Sequence, residues 1–165
     1  MEVNEVFANL KTHMLEGMVF HDEMSRYYDF LGMGRCRDEH RVRYEDETNG
    51  YVCLCRYYMH HFNKLIPQTT MNRPDVIPDA WYMYKRQEVD TSTKRTAYRN
   101  AMNKWVEWEK QTKDLYEDMC SELLNNGEIA AAHFVMDMVR DVDDELKYAS
   151  DKQLSLETSG YDLSM

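Results

Sequence analysis

Four segments of this chain carry apolar side chains at alternating spacings of three and four residues, and this period constrains the fold more than any other feature. Residues at these spacings share one face of an α-helix, and such a face is stable when it is buried against other helices. The segments run over about residues 2–31, 36–66, 91–125 and 128–149. The first stripe consists of Val3, Val6, Leu10, Met14, Gly17, His21, Met24, Tyr28 and Leu31. The sequence therefore predicts an all-α fold built from four helices.

Glycine-containing turns predict how these helices are arranged. Gly32 and Gly34 follow the first segment and Gly127 follows the third, and glycine readily takes the positive φ that ends a helix. Short turns of this kind place consecutive helices antiparallel. The pair Asn49-Gly50 inside the second segment is a hairpin signal. The helical phase passes through this pair without a slip, so we expect a continuous or locally kinked helix.

The helical period stops between residues 67 and 90, where three prolines interrupt a mostly polar stretch. Roughly two dozen extended residues reach farther than the length of a thirty-residue helix, which is about 45 Å. We therefore expect a long crossover between the second and third helices, so that the third helix begins at the opposite end of the bundle. The bundle would occupy residues 1–149, and residues 150–165 would form a C-terminal extension that is frayed or packed on the surface.

Composition and charge exclude several classes of function. The 165 residues suffice for one well-buried domain. A formal net charge of −10 argues against general binding to nucleic acids or anionic membranes, because both require concentrated positive charge. The four cysteines form no Cys-x-x-Cys pair, and no apolar run approaches membrane-spanning length. We expect a cytoplasmic protein with no nucleic-acid partner and no membrane partner.

Three ionisable residues lie on the predicted core-facing stripes: His21 on the first helix, Glu47 on the second and Glu109 on the third. A buried charge costs free energy unless it is paired or bound to a metal. Counting residues from the first turn places His21 and Glu47 opposite each other in an antiparallel pair. They would form either a buried hydrogen-bonded ion pair or two ligands of a metal ion, and the sequence leaves both interpretations open.

Other acidic residues are weaker candidates. Glu16 and Glu23 lie toward the polar side of the first helix, where solvent exposure is expected, although carboxylates at a helix edge often join metal sites in bundles. Asp46 precedes Glu47 and lies off its stripe. Gly17, on the core stripe, offers space for a small molecule, but a stripe glycine usually permits close contact between helices.

Two short stretches of this sequence resemble ferritins, the iron-storing and iron-oxidising four-helix bundles. Ala101-Met102 precedes Glu109-Lys110 by the interval found in ferritins, where the corresponding glutamate helps to bind iron. The stretch from His133 to Val139 is similar to a ferritin pattern on the fourth helix, and Leu15-Glu16 resembles a Leu-Glu pair on the first. The resemblance covers about one eighth of the chain. It implies a ferritin-like four-helix bundle with a long crossover between helices 2 and 3.

The second helix departs from the ferritin-like di-iron pattern, in which it carries Glu-x-x-His. Here Asp46-x-x-Asn49 has that spacing with weaker ligands, so the resemblance implies a reduced or altered metal site. The expected ligands are His21, Glu47 and Glu109, with Glu16 and Asp46 as weaker candidates. Carboxylate and imidazole ligands suit iron, manganese or zinc. No residue is assigned a catalytic role.

Two functions from different classes follow from these observations. The first is a ferritin-like protein of unassigned function that binds a transition metal in the bundle core. The alternative is a metal-free helical module for interaction or oligomerisation, a homodimer being the expected form. This alternative draws on extra apolar residues outside the main stripes. They are Leu15, Met18 and Val19 on the first helix and Trp81, Tyr82 and Tyr84 in the crossover.

Overall fold

The computed structural model describes residues 1–164, and within this range the chain forms four α-helices and no β-strand. They are α1 (Val3–Phe30), α2 (Gly34–Phe62), α3 (Thr91–Asn125) and α4 (Ile129–Ser159). The segment from 63 to 90 carries two short 3₁₀ turns, Asp79–Met83 and Arg86–Glu88. The all-α prediction is confirmed, and α2 continues through Asn49-Gly50 without a break.

No helix among residues 1–164 combines the length and the apolar character that crossing a membrane requires.

The two short turns determine which helices pair. Gly32 and Gly127 both have φ of +74°, the left-handed conformation that reverses the chain directly after a helix. Helix α1 therefore packs antiparallel to α2, and α3 packs antiparallel to α4. Contacts between α2 and α4 join the two hairpins, among them the stacked rings of Tyr57 and Phe134, whose centroids are 4.1 Å apart. All four helices thus contribute to one interior.

The apolar interior is divided into two clusters along the helix axes. One cluster lies near the α1–α2 turn and includes Met24, Tyr98 and Trp105, all fully buried. The other lies near the α3–α4 turn and includes Leu10, Leu54 and other fully buried side chains. Between them, α1 presents glycine and histidine, while α2, α3 and α4 present glutamates. The fold therefore holds a polar layer in the middle of an apolar core.

The segment from 63 to 90 follows the outer side of α1. Its Asn72 N–H donates to Glu16 Oε1 at 3.1 Å, and Arg73 forms an ion pair with Glu23. Farther along, the Trp81 ring packs against two rings near the end of α1. Glu23 is consequently buried, with 6% of its surface exposed, whereas the sequence predicted solvent exposure. The period of α1 alone carried no information about a segment lying on its polar face.

Helix α4 ends at Ser159, ten residues beyond the predicted boundary at 149. Ala149 and Leu156 are seven residues apart, which is two helical turns, and both are fully buried. Gly160, with φ of +69°, ends the helix, and the buried ring of Tyr161 packs against Tyr98. Of the predicted extension 150–165, residue 165 lies outside the described residues.

The buried end of α4 gives a test of this packing. Leu156→Ala removes a fully buried side chain, so we expect a loss of about 2–5 kcal/mol in the free energy of unfolding, measured by urea denaturation. Leu154→Ala is the matched control, because Leu154 is 69% exposed on the same helix and its truncation should cost less than about 0.5 kcal/mol. Equal stability of the two variants would show that the end of α4 is not packed on the core.

Candidate metal centre

The polar layer is assembled from one position on each helix. His21 comes from α1, Glu47 from α2, Glu109 from α3 and Glu145 from α4. The helical stripes that bury the apolar residues also bring these side chains inward, because each lies in phase with its neighbours on the stripe. The layer therefore brings together two of the three predicted ligands, His21 and Glu109, with Glu47 nearby and Glu145 as a fourth acidic group.

His21 is fully buried, and only one of its two ring nitrogens has a hydrogen-bond partner among residues 1–164. Its Nδ1 lies 3.0 Å from Nδ1 of His40 on α2, which is a hydrogen-bond distance. Its Nε2 lies 3.8 Å from Oε1 of Glu109, too far for a hydrogen bond, and has no hydrogen-bond partner among residues 1–164. Burial, followed by the charge of Arg43, lowers the pKa of His21 to about 3. The imidazole is neutral at physiological pH, and its Nε2 is a buried polar atom with no hydrogen-bond partner among residues 1–164.

Glu109 shares this interior with two other carboxyl groups. Only 1% of its surface is exposed, and its Oε1 accepts a hydrogen bond from Trp105 Nε1 at 3.2 Å. Burial raises its pKa well above the ordinary value, and the charges of Glu145 and Glu47 raise it further. Acidic groups that each disfavour ionisation of the others must lie close together.

Glu47 packs against Gly17 of α1. A Cβ atom at position 17 would lie 3.2 Å from the carboxyl carbon of Glu47, so the missing side chain makes room for this group. The carboxyl thus fills the space that Gly17 was expected to offer a small molecule. Within the described residues Glu47 takes part in no hydrogen bond and no ion pair. Burial, then the charges of Glu145 and Asp46, raises its pKa to about 8.

Glu47 lies one helical turn from the level at which the sequence placed it. His21 is nine residues before the last residue of α1, Phe30, whereas Glu47 is thirteen residues after the first residue of α2, Gly34. In an antiparallel pair joined by a three-residue turn, a difference of four residues is about one turn. Glu47 therefore lies level with Gly17, which is thirteen residues before Phe30, and the α2 side chain that His21 contacts is His40.

Glu145 is not among the ligands that the sequence predicted. Met138, Val142, Glu145 and Ala149 follow one another at spacings of four, three and four, so the signal was present. Glu145 pairs with Arg43 of α2 at 2.9 Å. Burial raises the pKa of Glu145, and the Arg43 guanidinium opposes that shift.

Arg43 is enclosed by two aromatic rings, which fixes its guanidinium beside the layer. Its Cζ lies 5.9 Å from the ring centroid of Trp105 and 5.6 Å from that of Tyr148. Guanidinium groups are attracted to such ring faces. Arg43 also weakens the pKa shifts of Glu47 and Glu109, so it acts electrostatically on the whole layer.

A cleft of about 450 Å³ opens to solvent beside Glu47 and Glu145, which both line it. Asp46, an exposed residue, lies at its rim, whereas His21 and Glu109 do not line it. Asp141 and Asp144 add further negative charge to the wall. Glu16, the other weaker candidate, lies elsewhere, because its carboxylate faces Asn72 outside α1.

The side chains of the layer do not converge on one point in this structure. Among residues 1–164, no three histidine, cysteine, aspartate or glutamate side chains are already placed to hold one metal ion together. His21 and Glu109 face each other directly, while Glu47 and Glu145 are close enough to act on the pKa of Glu109. A shared ion would therefore require the two outer glutamates to change rotamer.

No protein-family model matches this chain, and a search of curated proteins finds no match either.

The raised pKa of Glu47 predicts a pH-dependent stability. Folded Glu47 retains its proton up to about pH 8, whereas the unfolded carboxyl loses it near pH 4.5, so the free energy of unfolding falls as pH rises between these values. Glu47→Gln removes this linkage. From pH 6.5 to 8.5 its stability should fall less steeply than that of the wild type, because the histidines contribute equally to the two slopes and only the wild type has the Glu47 contribution. At pH 8 the variant should be more stable by at least about 1 kcal/mol.

The measurement is urea denaturation at a series of pH values. Glu45→Gln is the control, because Glu45 is exposed on the same helix and is not one of the charges that raise the pKa of Glu47, so its replacement should leave the wild-type slope nearly unchanged. Parallel curves for wild type and Glu47→Gln would contradict the assignment of a retained proton to Glu47.

Proposed function

We propose that this protein is a ferritin-like four-helix bundle that binds one transition-metal ion in its polar layer. His21 Nε2 and the carboxylate of Glu109 would be the first two ligands, and Glu47 and Glu145 would complete the set. The observation that carries the proposal is the buried Nε2 of His21, which has no hydrogen-bond partner within residues 1–164. Buried polar atoms are normally satisfied, and a metal ion is a partner that suits an imidazole nitrogen.

The spacing of the two inner ligands supports this proposal. Two atoms that each lie about 2.1 Å from one ion are about 3.0 Å apart at a right angle and about 4.2 Å apart when opposite. The 3.8 Å between His21 Nε2 and Glu109 Oε1 falls inside this range. The same distance is too long for a direct hydrogen bond, so the two atoms are separated as ligands of a common ion would be.

The charge of the layer also favours a cation. Three ionised glutamates carry −3 and Arg43 carries +1, so the formal sum is −3 + 1 = −2, which one divalent ion balances. Without an ion, the high pKa of Glu47 and Glu109 indicates that protons neutralise the layer. An incoming ion would replace those protons, so affinity should rise with pH.

The donor atoms indicate the class of ion. One imidazole with two or three carboxylates suits iron, manganese or zinc, whereas magnesium and calcium are usually bound by oxygen atoms alone. Glu109 also stands where the ferritin resemblance expects an iron ligand. The weaker candidates do not join the proposed set, because Asp46 lies at the rim of the cleft and Glu16 faces Asn72.

The path of the segment from 63 to 90 supports the ferritin-like topology in this proposal. Gln68 contacts Lys11 near the start of α1, and Arg86 contacts the carbonyl of Asp29 at its end. A segment that follows α1 from one end to the other returns the chain to the α1–α2 turn. Helix α3 then begins beside that turn and runs parallel to α2, as a long crossover requires.

Metal binding tests the proposal directly. We expect the wild type to bind about one equivalent of zinc or manganese, and of ferrous iron without oxygen, measured by calorimetry and metal analysis. At one hundred times Kd the ion should stabilise the fold by about 2.7 kcal/mol. Glu109→Gln and His21→Phe should each weaken binding at least about tenfold.

Glu107→Gln is the matched control, since Glu107 is exposed on the same helix two residues from Glu109 and its replacement should leave binding unchanged. Less than about one-tenth equivalent of bound ion, with no thermal shift on adding the three metals, would contradict the proposal.

The alternative, a metal-free module for self-association, draws on one surface observation. Met83 and Tyr82 are 86% and 68% exposed in the first 3₁₀ turn, beside the aromatic contacts of Trp81. Exposed apolar side chains of this kind are enriched at interfaces. We expect a homodimer in this case. Sedimentation at micromolar concentration measures its mass, and Tyr82→Ser with Met83→Ser should convert it to a monomer with an unchanged helical content. A wild-type monomer would contradict this alternative.

A further inference from the structure

Helices α1 and α2 bring two histidines together beside the proposed ion. The Nδ1 atoms of His21 and His40 are 3.0 Å apart, and 0% and 1% of the two residues' surfaces are exposed. The rings lie at 25° to each other with centroids 5.2 Å apart. The contact therefore joins two imidazoles through their Nδ1 atoms and leaves both Nε2 atoms without a hydrogen-bond partner in the described part of the chain.

A hydrogen bond between two imidazole nitrogens needs one proton. One Nδ1 must carry the hydrogen and donate it, and the other must accept it with its lone pair. If His21 donates, its Nε2 carries a lone pair and His40 carries its hydrogen on Nε2. If His40 donates, the hydrogen of His21 lies on Nε2, where it would block an ion.

We propose that His40 is a positioning residue that accepts the Nδ1–H of His21 and thereby presents the Nε2 lone pair of His21 to the ion. This inference rests on the proposed metal-binding function and names a residue outside the ligand set. Histidines that bind metals usually donate their other N–H to a carboxylate, a carbonyl oxygen or water. Here a second imidazole takes that place.

The surroundings of His40 hold the acceptor in position. Tyr28 stacks on its ring at a centroid distance of 5.5 Å, and Trp105 lies across its edge at 4.7 Å. These contacts come from two different helices, so the imidazole cannot turn its Nδ1 away from His21 without displacing buried aromatic side chains. The orientation of His21 is therefore fixed from outside the metal centre.

This arrangement has a consequence for the choice of ion. A neutral imidazole with a free lone pair binds zinc and similar transition ions well, and contributes little to binding of magnesium or calcium. His40 would accordingly strengthen binding of transition ions and leave the binding of oxygen-preferring ions almost unchanged.

The test compares two replacements of His40. His40→Phe keeps an aromatic ring between Tyr28 and Trp105 but removes the acceptor, so zinc affinity should fall about 10- to 100-fold while weak magnesium binding is unchanged. His40→Asn places an amide oxygen near the position of Nδ1 and should retain zinc affinity within about threefold. His13→Phe is the matched control, because His13 is also hydrogen-bonded and stacked on a tryptophan but does not contact a proposed ligand.

A spectroscopic measurement distinguishes positioning from a merely structural role. In the zinc-bound protein labelled with ¹⁵N-histidine, long-range ¹H–¹⁵N spectra should show the hydrogen of His21 on Nδ1 and that of His40 on Nε2. A hydrogen on Nε2 of His21 in that state would overturn the inference. The wild-type spectra decide the question even if His40→Phe fails to fold.

The outcomes separate the two proposals. A wild type that binds no transition ion removes the proposed function, and this inference with it. A wild type that binds zinc, together with a folded His40→Phe of equal zinc affinity, overturns the role of His40 alone. A loss of affinity in His40→Phe that His40→Asn does not share supports it.

Discussion

The burial of ionisable side chains between two apolar clusters is the constraint on which the rest of this structure depends. An isolated buried charge is costly, so each member of the layer must be neutral, paired or bound to a cation. The chain uses the first two solutions. Burial keeps His21 neutral, Glu47 retains a proton up to about pH 8, and Glu145 pairs with Arg43. Gly17 makes this possible sterically, because a side chain at that position would press on the carboxyl of Glu47. The stability of the bundle and the chemistry of its centre therefore depend on the same few groups.

The fold follows from the sequence more completely than the layer does. The spacing of apolar residues predicts the helices, because burial of one face requires a period close to 3.6 residues whatever the partner. The same stripes place His21 and Glu109 in the interior, where the structure has them. Contacts between helices are harder to predict, because they depend on the length of the turn and on the first residue of the next helix. The sequence predicted that Glu47 faces His21, whereas in the structure it faces Gly17, one helical turn away on α1.

The residues that the sequence missed have a common physical cause. Glu145 lies in phase with the apolar residues of α4, and the approach of Arg43 from α2 makes an inward glutamate favourable there. Glu23 became buried because the segment from 63 to 90 covers it with Arg73. In each case a side chain distant in sequence changes the environment of an acidic group. The helical period of one segment predicts which of its side chains point inward. It does not predict which side chains of other segments will pack against them.

Protons and the proposed metal ion would compete for the same atoms in this layer. Without an ion, Glu47 and Glu109 stay uncharged by keeping protons, and His21 Nε2 stays unpaired, at a cost of about 1–3 kcal/mol for a buried group of this kind. A divalent ion would relieve both conditions, because it supplies positive charge to the carboxylates and a partner to the imidazole. The ordinary alternative, a direct hydrogen bond from His21 to Glu109, would satisfy the imidazole without a metal. The 3.8 Å separation of those two atoms shows that the helices do not close far enough to make it. Close-packed apolar clusters lie on either side of the layer, and rigid packing of this kind would resist closing that gap, which is consistent with the proposed ion.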